Sequence, residues 1–193
     1  MKHIFAFLAL FITASAFAAA PAKPFELREG DRVVFLGDTL MEREKDYGYL
    51  ELMMTLRFPE RNVTFRNLGW SADTPVGISR VSFDWPKGEG EMFRQLMEQI
   101  KQVQPTVVVL GYGMASSFDG AAGLEKFTAD YNKLIDGILA LNKETRFILL
   151  SPIRHEKLPP PLPDPARHNP ARAGLAGDTK AIQSGEVDVT ADA

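Results

Sequence analysis

No cysteine occurs in the 193 residues of this chain. Disulfide bonds, thiolate metal sites and cysteine-borne lipids are therefore excluded. Basic charge is not in excess either: 22 Lys and Arg stand against 25 Asp and Glu, for a net charge of −3. Nucleic-acid binding would call for clustered Lys and Arg, so no nucleic-acid partner is expected. The longest apolar stretch near the start, from Ile4 to Ile12, falls well short of the roughly 20 residues that span a bilayer. No stable membrane span is expected. Histidine is scarce, with His3, His155 and His168 the full set. No group of His, Asp and Glu has metal-ligand spacing. Gly111-Tyr112-Gly113 lacks the spacing of a dinucleotide fingerprint. Neither a metal nor a cofactor is expected.

The N-terminus reads as an export signal. Lys2 and His3 form a short basic start, the run from Ile4 to Ile12 follows, and Ala16-Phe17-Ala18 supplies small residues for cleavage. Residues 1–20 are therefore expected to be a signal peptide of a bacterial periplasmic or secreted protein. About 175 residues remain, an ordinary size for one domain, and 45% of the chain is hydrophobic.

Strand and helix patterns alternate along that domain. Arg32-Val33-Val34-Phe35-Leu36 is a continuous apolar run between Asp31 and Gly37. Such a run suits a strand buried on both faces of a parallel sheet. Tyr49, Leu50, Met53, Met54 and Leu56 recur at helical spacing, and Met53-Met54 reads as core. Glu42 to Lys45 reads as a solvated segment. Val63 to Asn67 predicts a short strand, and Gly69 to Gly77 a loop holding Trp70, either a lid or a core residue. Glu91 to Val103 predicts a helix ended by Pro105. Thr106 to Leu110 is the strongest strand, being β-branched and uninterrupted. Gly111 to Gly123 reads as a glycine-rich loop, Leu124 to Leu141 as a helix and Arg146 to Leu150 as a fourth strand. The alternation predicts an open α/β sheet with right-handed crossovers.

After Pro152 the character changes. Leu158 to Pro165 is proline-rich and cannot join a sheet interior. Residues 170–193 are small, polar and weakly patterned. Neither a fifth strand nor a closing helix is evident, so the end of the domain is expected to be missing.

In open α/β sheets, ligands bind outside the carboxyl ends of the strands. Three loops fall there: Gly37-Asp38-Thr39, Asn67 through Thr74, and Gly111 through Phe118. Thr39 presents a hydroxyl directly after a buried strand. A hydroxyl nucleophile needs a base for its proton and donors for the oxyanion. Asp38 and Asp73 are expected to hold their turns through backbone hydrogen bonds.

Three segments carry a family resemblance: Phe35-Leu36-Gly37-Asp38-Thr39, Asn67-Leu68-Gly69-Trp70-Ser71-Ala72-Asp73-Thr74 and Val108-Val109-Leu110-Gly111-Tyr112-Gly113. Their order and spacing resemble the SGNH/GDSL hydrolases, secreted or cytosolic esterases of flavodoxin-like fold. The resemblance runs from Asp31 to about Asn169, giving a domain at 31–169 between the signal and the 170–193 tail. It implies a three-layer α/β/α fold with a parallel sheet, and hydrolysis of a small-molecule or carbohydrate ester. It also implies Thr39 at the family's serine position, with Ala72 at its glycine and the Ala72 N–H as oxyanion donor. Asp38, Asn67 and Asp73 support the site from behind. The family's asparagine falls at or near Ala115. Its Asp-to-His motif near the C-terminus is not found, which leaves His168 as the candidate base.

Two other function classes compete. A non-catalytic relative would bind a carbohydrate or acyl ester, and a truncated esterase would be inactive; loss of the amide and of the usual base favours both. A flavin- or nucleotide-binding module would need a phosphate-cradling loop after the first strand, and Leu40-Met41-Glu42 is neither glycine- nor hydroxyl-rich enough. Substrate identity and oligomeric state are left open.

Overall fold

The computed structural model describes residues 25–80, 87–162, 164–167, 169–170 and 187–188. The expected signal at 1–20, the candidate base His168 and most of the 170–193 tail lie outside them.

Five parallel strands form one sheet in the order β2-β1-β3-β4-β5. They are β1 (Arg32–Gly37), β2 (Thr64–Asn67), β3 (Val107–Gly111), β4 (Arg146–Leu149) and β5 (Val187–Asp188). The helices are α1 (Thr39–Tyr47), α2 (Tyr49–Arg57), α3 (Glu89–Val103) and α4 (Leu124–Leu141), with a 3-10 helix at Ser116–Gly123. The register sets Val34 beside Val108, and Val108 beside Phe147. Side chains alternate across the pleat. Val34, Leu36, Val108, Leu110, Phe147 and Leu149 therefore meet Leu96 and Ile100 of α3 and Tyr131, Leu134 and Ile138 of α4. Val33, Phe35, Val107, Val109 and Ile148 meet Met41 of α1 and Leu50 and Met54 of α2. Both faces of the sheet are covered, which gives three layers. This is why the strands read as unbroken apolar runs.

Several sequence expectations are corrected. Glu42 to Lys45, solvated at Arg43 and Lys45 as expected, lies on a helix that the pattern did not predict, α1, capped by the Asp38 carboxylate and closed at Gly48, whose φ of 66° favours glycine. The segment after β3 forms a 3-10 helix where a loop was expected. Met53 is 59% exposed, so only Met54 of that pair joins the core. Two apolar stripes run along α2, and the sheet can cover only one. Leu50 and Met54 face inward, leaving Tyr49, Leu52, Met53 and Leu56 exposed. A fifth strand exists as well: Val187 and Asp188 pair in parallel with Phe147 and Ile148. Two residues are too few for any periodicity to register.

One ion pair sits under the sheet at the opposite end from the three loops. Asp31 and Arg146 are both largely buried and paired. Asp31 also accepts from the Thr106 hydroxyl at 2.7 Å and from the Arg28 N–H at 2.6 Å. Burial resists ionisation of Asp31, but these bonds outweigh it and hold its pKa below the ordinary value.

Candidate active site

The strand order reverses direction between β1 and β3, the topological switch point where such sheets bind ligands. There the two strands end on glycines packed against each other. A Cβ on Gly37 would lie 2.2 Å from the Gly111 carbonyl oxygen, and one on Gly111 would lie 2.5 Å from the Met41 Cε. Only glycine permits this approach, and it brings the first and third loops together.

Asp38 follows Gly37 and is 2% exposed. Its N–H donates to the Gly111 carbonyl at 3.1 Å. Its carboxylate accepts from the Leu40 N–H at 3.3 Å and from the Met114 N–H at 2.9 Å. The first bond caps α1, and the second ties the third loop to it.

Thr39 is therefore the first residue of α1, half-buried at the helix N-terminus. The partial positive charge there favours a developing anion. Thr39 Oγ1 accepts a hydrogen bond from the Ala72 N–H at 3.0 Å. The nucleophile candidate and the oxyanion-donor candidate, 33 residues apart in the chain, thus meet in space.

The second loop is built to make this contact. Asn67 ends β2, donating to the Met41 carbonyl at 2.7 Å and accepting from the Gly69 N–H at 2.8 Å. A Cβ on Gly69 would come within 2.4 Å of the Glu42 nitrogen, so only glycine lets the loop lie on α1. The Trp70 N–H donates to the Gly37 carbonyl at 3.0 Å. Ala72 then adopts φ of 56°, left-handed backbone that strains alanine. Its carbonyl accepts from the Ser79 hydroxyl at 2.9 Å. Next to it, Asp73 is fully buried and paired with Arg80 Nε at 2.8 Å. Burial pushes the Asp73 carboxyl above its ordinary value against the pull of Arg80. Arg80 also donates to Gln99 at 2.7 Å and to the Leu68 carbonyl at 2.6 Å. Trp70 is 48% exposed, so of its two readings the core one fails, and its ring lies over the Arg80 guanidinium at 5.9 Å.

Sequence reasoning missed three supports: Ser79, Arg80 and Glu42. A signal for Arg80 was present, a single cation in a loop of small and apolar residues. Glu42 was hidden because α1 itself was not recognised.

Other partners are not brought together. The candidate base His168 lies outside the described residues. Ala115, half-buried beside Met114, carries no amide. His155 lies beside the third loop, where its ring meets Phe118 edge-on at 6.1 Å. Its backbone is stapled to the Asn169 amide by bonds of 2.8 and 3.1 Å. Among the described residues no group of three or more His, Cys, Asp or Glu could hold a metal. None of the described helices is long and apolar enough to cross a membrane.

Solved structures share this architecture. A catalytic mutant of an acetylxylan esterase from Geobacillus stearothermophilus superposes with a TM-score of 0.58 at 14% identity, over 82% of this chain and 74% of that one. The psychrotrophic esterase EstA from Pseudoalteromonas sp. gives 0.52 at 15% identity, over 83% and 77%. TesA gives 0.53 at 15% identity, over 78% and 72%. The chain has the fold of the SGNH/GDSL esterases. No protein-family model and no curated protein matches it. Within the SGNH/GDSL fold, Thr39 and Ala72 occupy the crevice at the β1/β3 switch point, where open sheets of this order place their ligands.

Proposed function

We propose that this protein is an ester hydrolase whose attacking group is the Thr39 hydroxyl. The observation that carries the reading is the 3.0 Å contact between the Ala72 N–H and Thr39 Oγ1 at the switch point of an SGNH/GDSL fold. Thr39 Oγ1 attacks the ester carbonyl carbon, and the carbonyl oxygen takes on negative charge. The Ala72 and Thr39 N–H groups face that oxyanion, with the α1 N-terminus adding its dipole. Collapse expels the alcohol and leaves an acyl-threonine, which water hydrolyses. His168, the candidate base, takes the Thr39 proton and returns it to the leaving alcohol, then takes a proton from the attacking water and returns it to Thr39. Either a small-molecule or a carbohydrate ester is the substrate. The exposed Trp70 ring beside Ala72 supports the carbohydrate, since aromatic faces take the apolar side of sugar rings, and one protein of this fold is an acetylxylan esterase. The reading includes export to the periplasm or exterior, supported by the N-terminal run at Ile4 to Ile12.

The test is turnover of p-nitrophenyl acetate by the purified chain and by Thr39→Ala. A loss of about 10²-fold or more is expected in the variant. Equal rates would remove Thr39 as nucleophile.

A second reading, a binding protein for the same esters, is favoured by the missing side-chain amide at Ala115. It predicts no turnover by either protein, with calorimetric binding of an acetylated xylo-oligosaccharide that Trp70→Ala weakens.

A further inference from the structure

Helix α1 grips the second loop twice. Thr39 and Glu42 stand three residues apart and so share a helix face. Consecutive loop residues meet them. The Ala72 N–H donates to Thr39 Oγ1 at 3.0 Å, and the Ser71 hydroxyl donates to Glu42 Oε2 at 2.7 Å. The other Glu42 oxygen accepts from Lys45 Nζ at 2.8 Å, and Arg43 Nε lies 3.6 Å from Oε2. The Lys45 and Ser71 bonds hold the Glu42 carboxyl below its ordinary pKa.

The grip has something to resist. Ala72 holds φ of 56°, and an unrestrained alanine relaxes to negative φ. With the Ala72 carbonyl held on the Ser79 hydroxyl, that rotation would turn the Ser71–Ala72 peptide, and its N–H, away from Thr39. Ser79 restrains the carbonyl side of Ala72, and the Ser71–Glu42 bond restrains the residue before it. We propose that Glu42, acting through Ser71, is a positioning residue that holds the Ala72 N–H aimed at the attacking hydroxyl. The proposal rests on Thr39 being that hydroxyl. A bland alternative is that Glu42 serves only α1, as the partner of Lys45 in an exposed ion pair of little worth.

Amide exchange of Ala72, followed by NMR in the full chain, separates the two. Glu42→Leu should speed Ala72 exchange about tenfold, the usual worth of one lost hydrogen bond to a charged group. Its kcat on p-nitrophenyl acetate should fall by a similar factor with KM held within about twofold. Ser71→Ala should do the same without touching α1. Glu42→Gln keeps an acceptor for Ser71 and should rescue both readouts. Lys45→Ala, which breaks only the ion pair, should change neither. Ala72 exchange that is unchanged in Glu42→Leu, or equally fast in Lys45→Ala, would overturn the proposal. If exchange responds as expected while the wild type and Thr39→Ala hydrolyse equally, the clamp stands and the catalytic assignment alone falls.

Discussion

Ala72 sits in left-handed backbone with φ of 56°, and replacing it by glycine should stabilise the protein. That conformation costs a residue with a Cβ about 1–2 kcal/mol. Glycine avoids the cost but loses about 0.5–1 kcal/mol of chain entropy on folding. Ala72 is exposed, so its methyl contributes little packing to lose. The net gain is about 0.5–1 kcal/mol. With a urea m-value of about 1–3 kcal/mol/M, the unfolding midpoint should rise by a few tenths of a molar at unchanged m. Ala72→Val is the opposite perturbation, because a β-branched side chain is stiff and crowded at positive φ. It should lower the midpoint by more than the glycine raises it. Both variants keep the N–H, so the 3.0 Å contact to Thr39 Oγ1 survives in glycine. A glycine variant destabilised as much as the valine variant would refute the claim that Ala72 is strained.

Three further outcomes follow from the geometry. Gly37→Ala forces a Cβ to within 2.2 Å of the Gly111 carbonyl oxygen and should cost about 1–3 kcal/mol or more by overpacking, measured as a lower urea midpoint. Asp31 has a depressed folded pKa, so its stabilisation is present above the ordinary value of 3.8 and lost as pH falls from there through the folded value. Asp31→Asn should therefore flatten the acid limb of a stability-against-pH curve, and an unchanged limb would exclude Asp31 as its source. Ala115→Asn restores an amide donor to the third loop and should raise p-nitrophenyl acetate turnover by about 10-fold or more, given that one oxyanion donor is worth about 10²–10³. No gain over a wild type that turns over would remove position 115 as the seat of that donor.

The interior of this fold was legible because burial writes a simple code. Val33 to Leu36, Val107 to Leu110 and the α4 stripe of Phe127, Tyr131, Leu134 and Ile138 are apolar runs or periods that admit one reading. Helix α1 was not legible, since its mean composition is polar and only Met41 is fully buried. Its start carries a local cap, Asp38 on the Leu40 N–H, while its seat against Gly69 is a product of tertiary structure. The placement of Thr39, Asn67 and Ala72 followed from loops at strand ends. What the sequence could not give was the sign of φ at Ala72, because alanine carries no mark of left-handed backbone. Arg80 escaped for a related reason: its partner Asp73 is seven residues away in a loop without periodicity.

The contacts at this site divide by what the fold itself requires. The close approach of Gly37 and Gly111 and the seat of Gly69 on α1 are packing demands, and a binding protein of this fold would need them as much as an enzyme. The Asp38 cap and the buried Asp73–Arg80 pair likewise hold loops in place whatever the loops do. Ala72 is different. Its strained backbone satisfies no packing requirement, since its side chain is exposed, and glycine would remove the strain. Strain of this kind persists only where the surroundings over-determine it. Here the surroundings are the Ser79 bond to its carbonyl and the Thr39 bond to its N–H, flanked by Ser71–Glu42 and Asp73–Arg80. This conformation sets the Ala72 N–H on the Thr39 hydroxyl and its carbonyl on the Ser79 hydroxyl. A threonine is not needed for the Asp38 cap, which uses the Leu40 N–H, nor for the helix that follows. The hydroxyl and the strained donor bond to each other, and the proposed attack by Thr39 would use both.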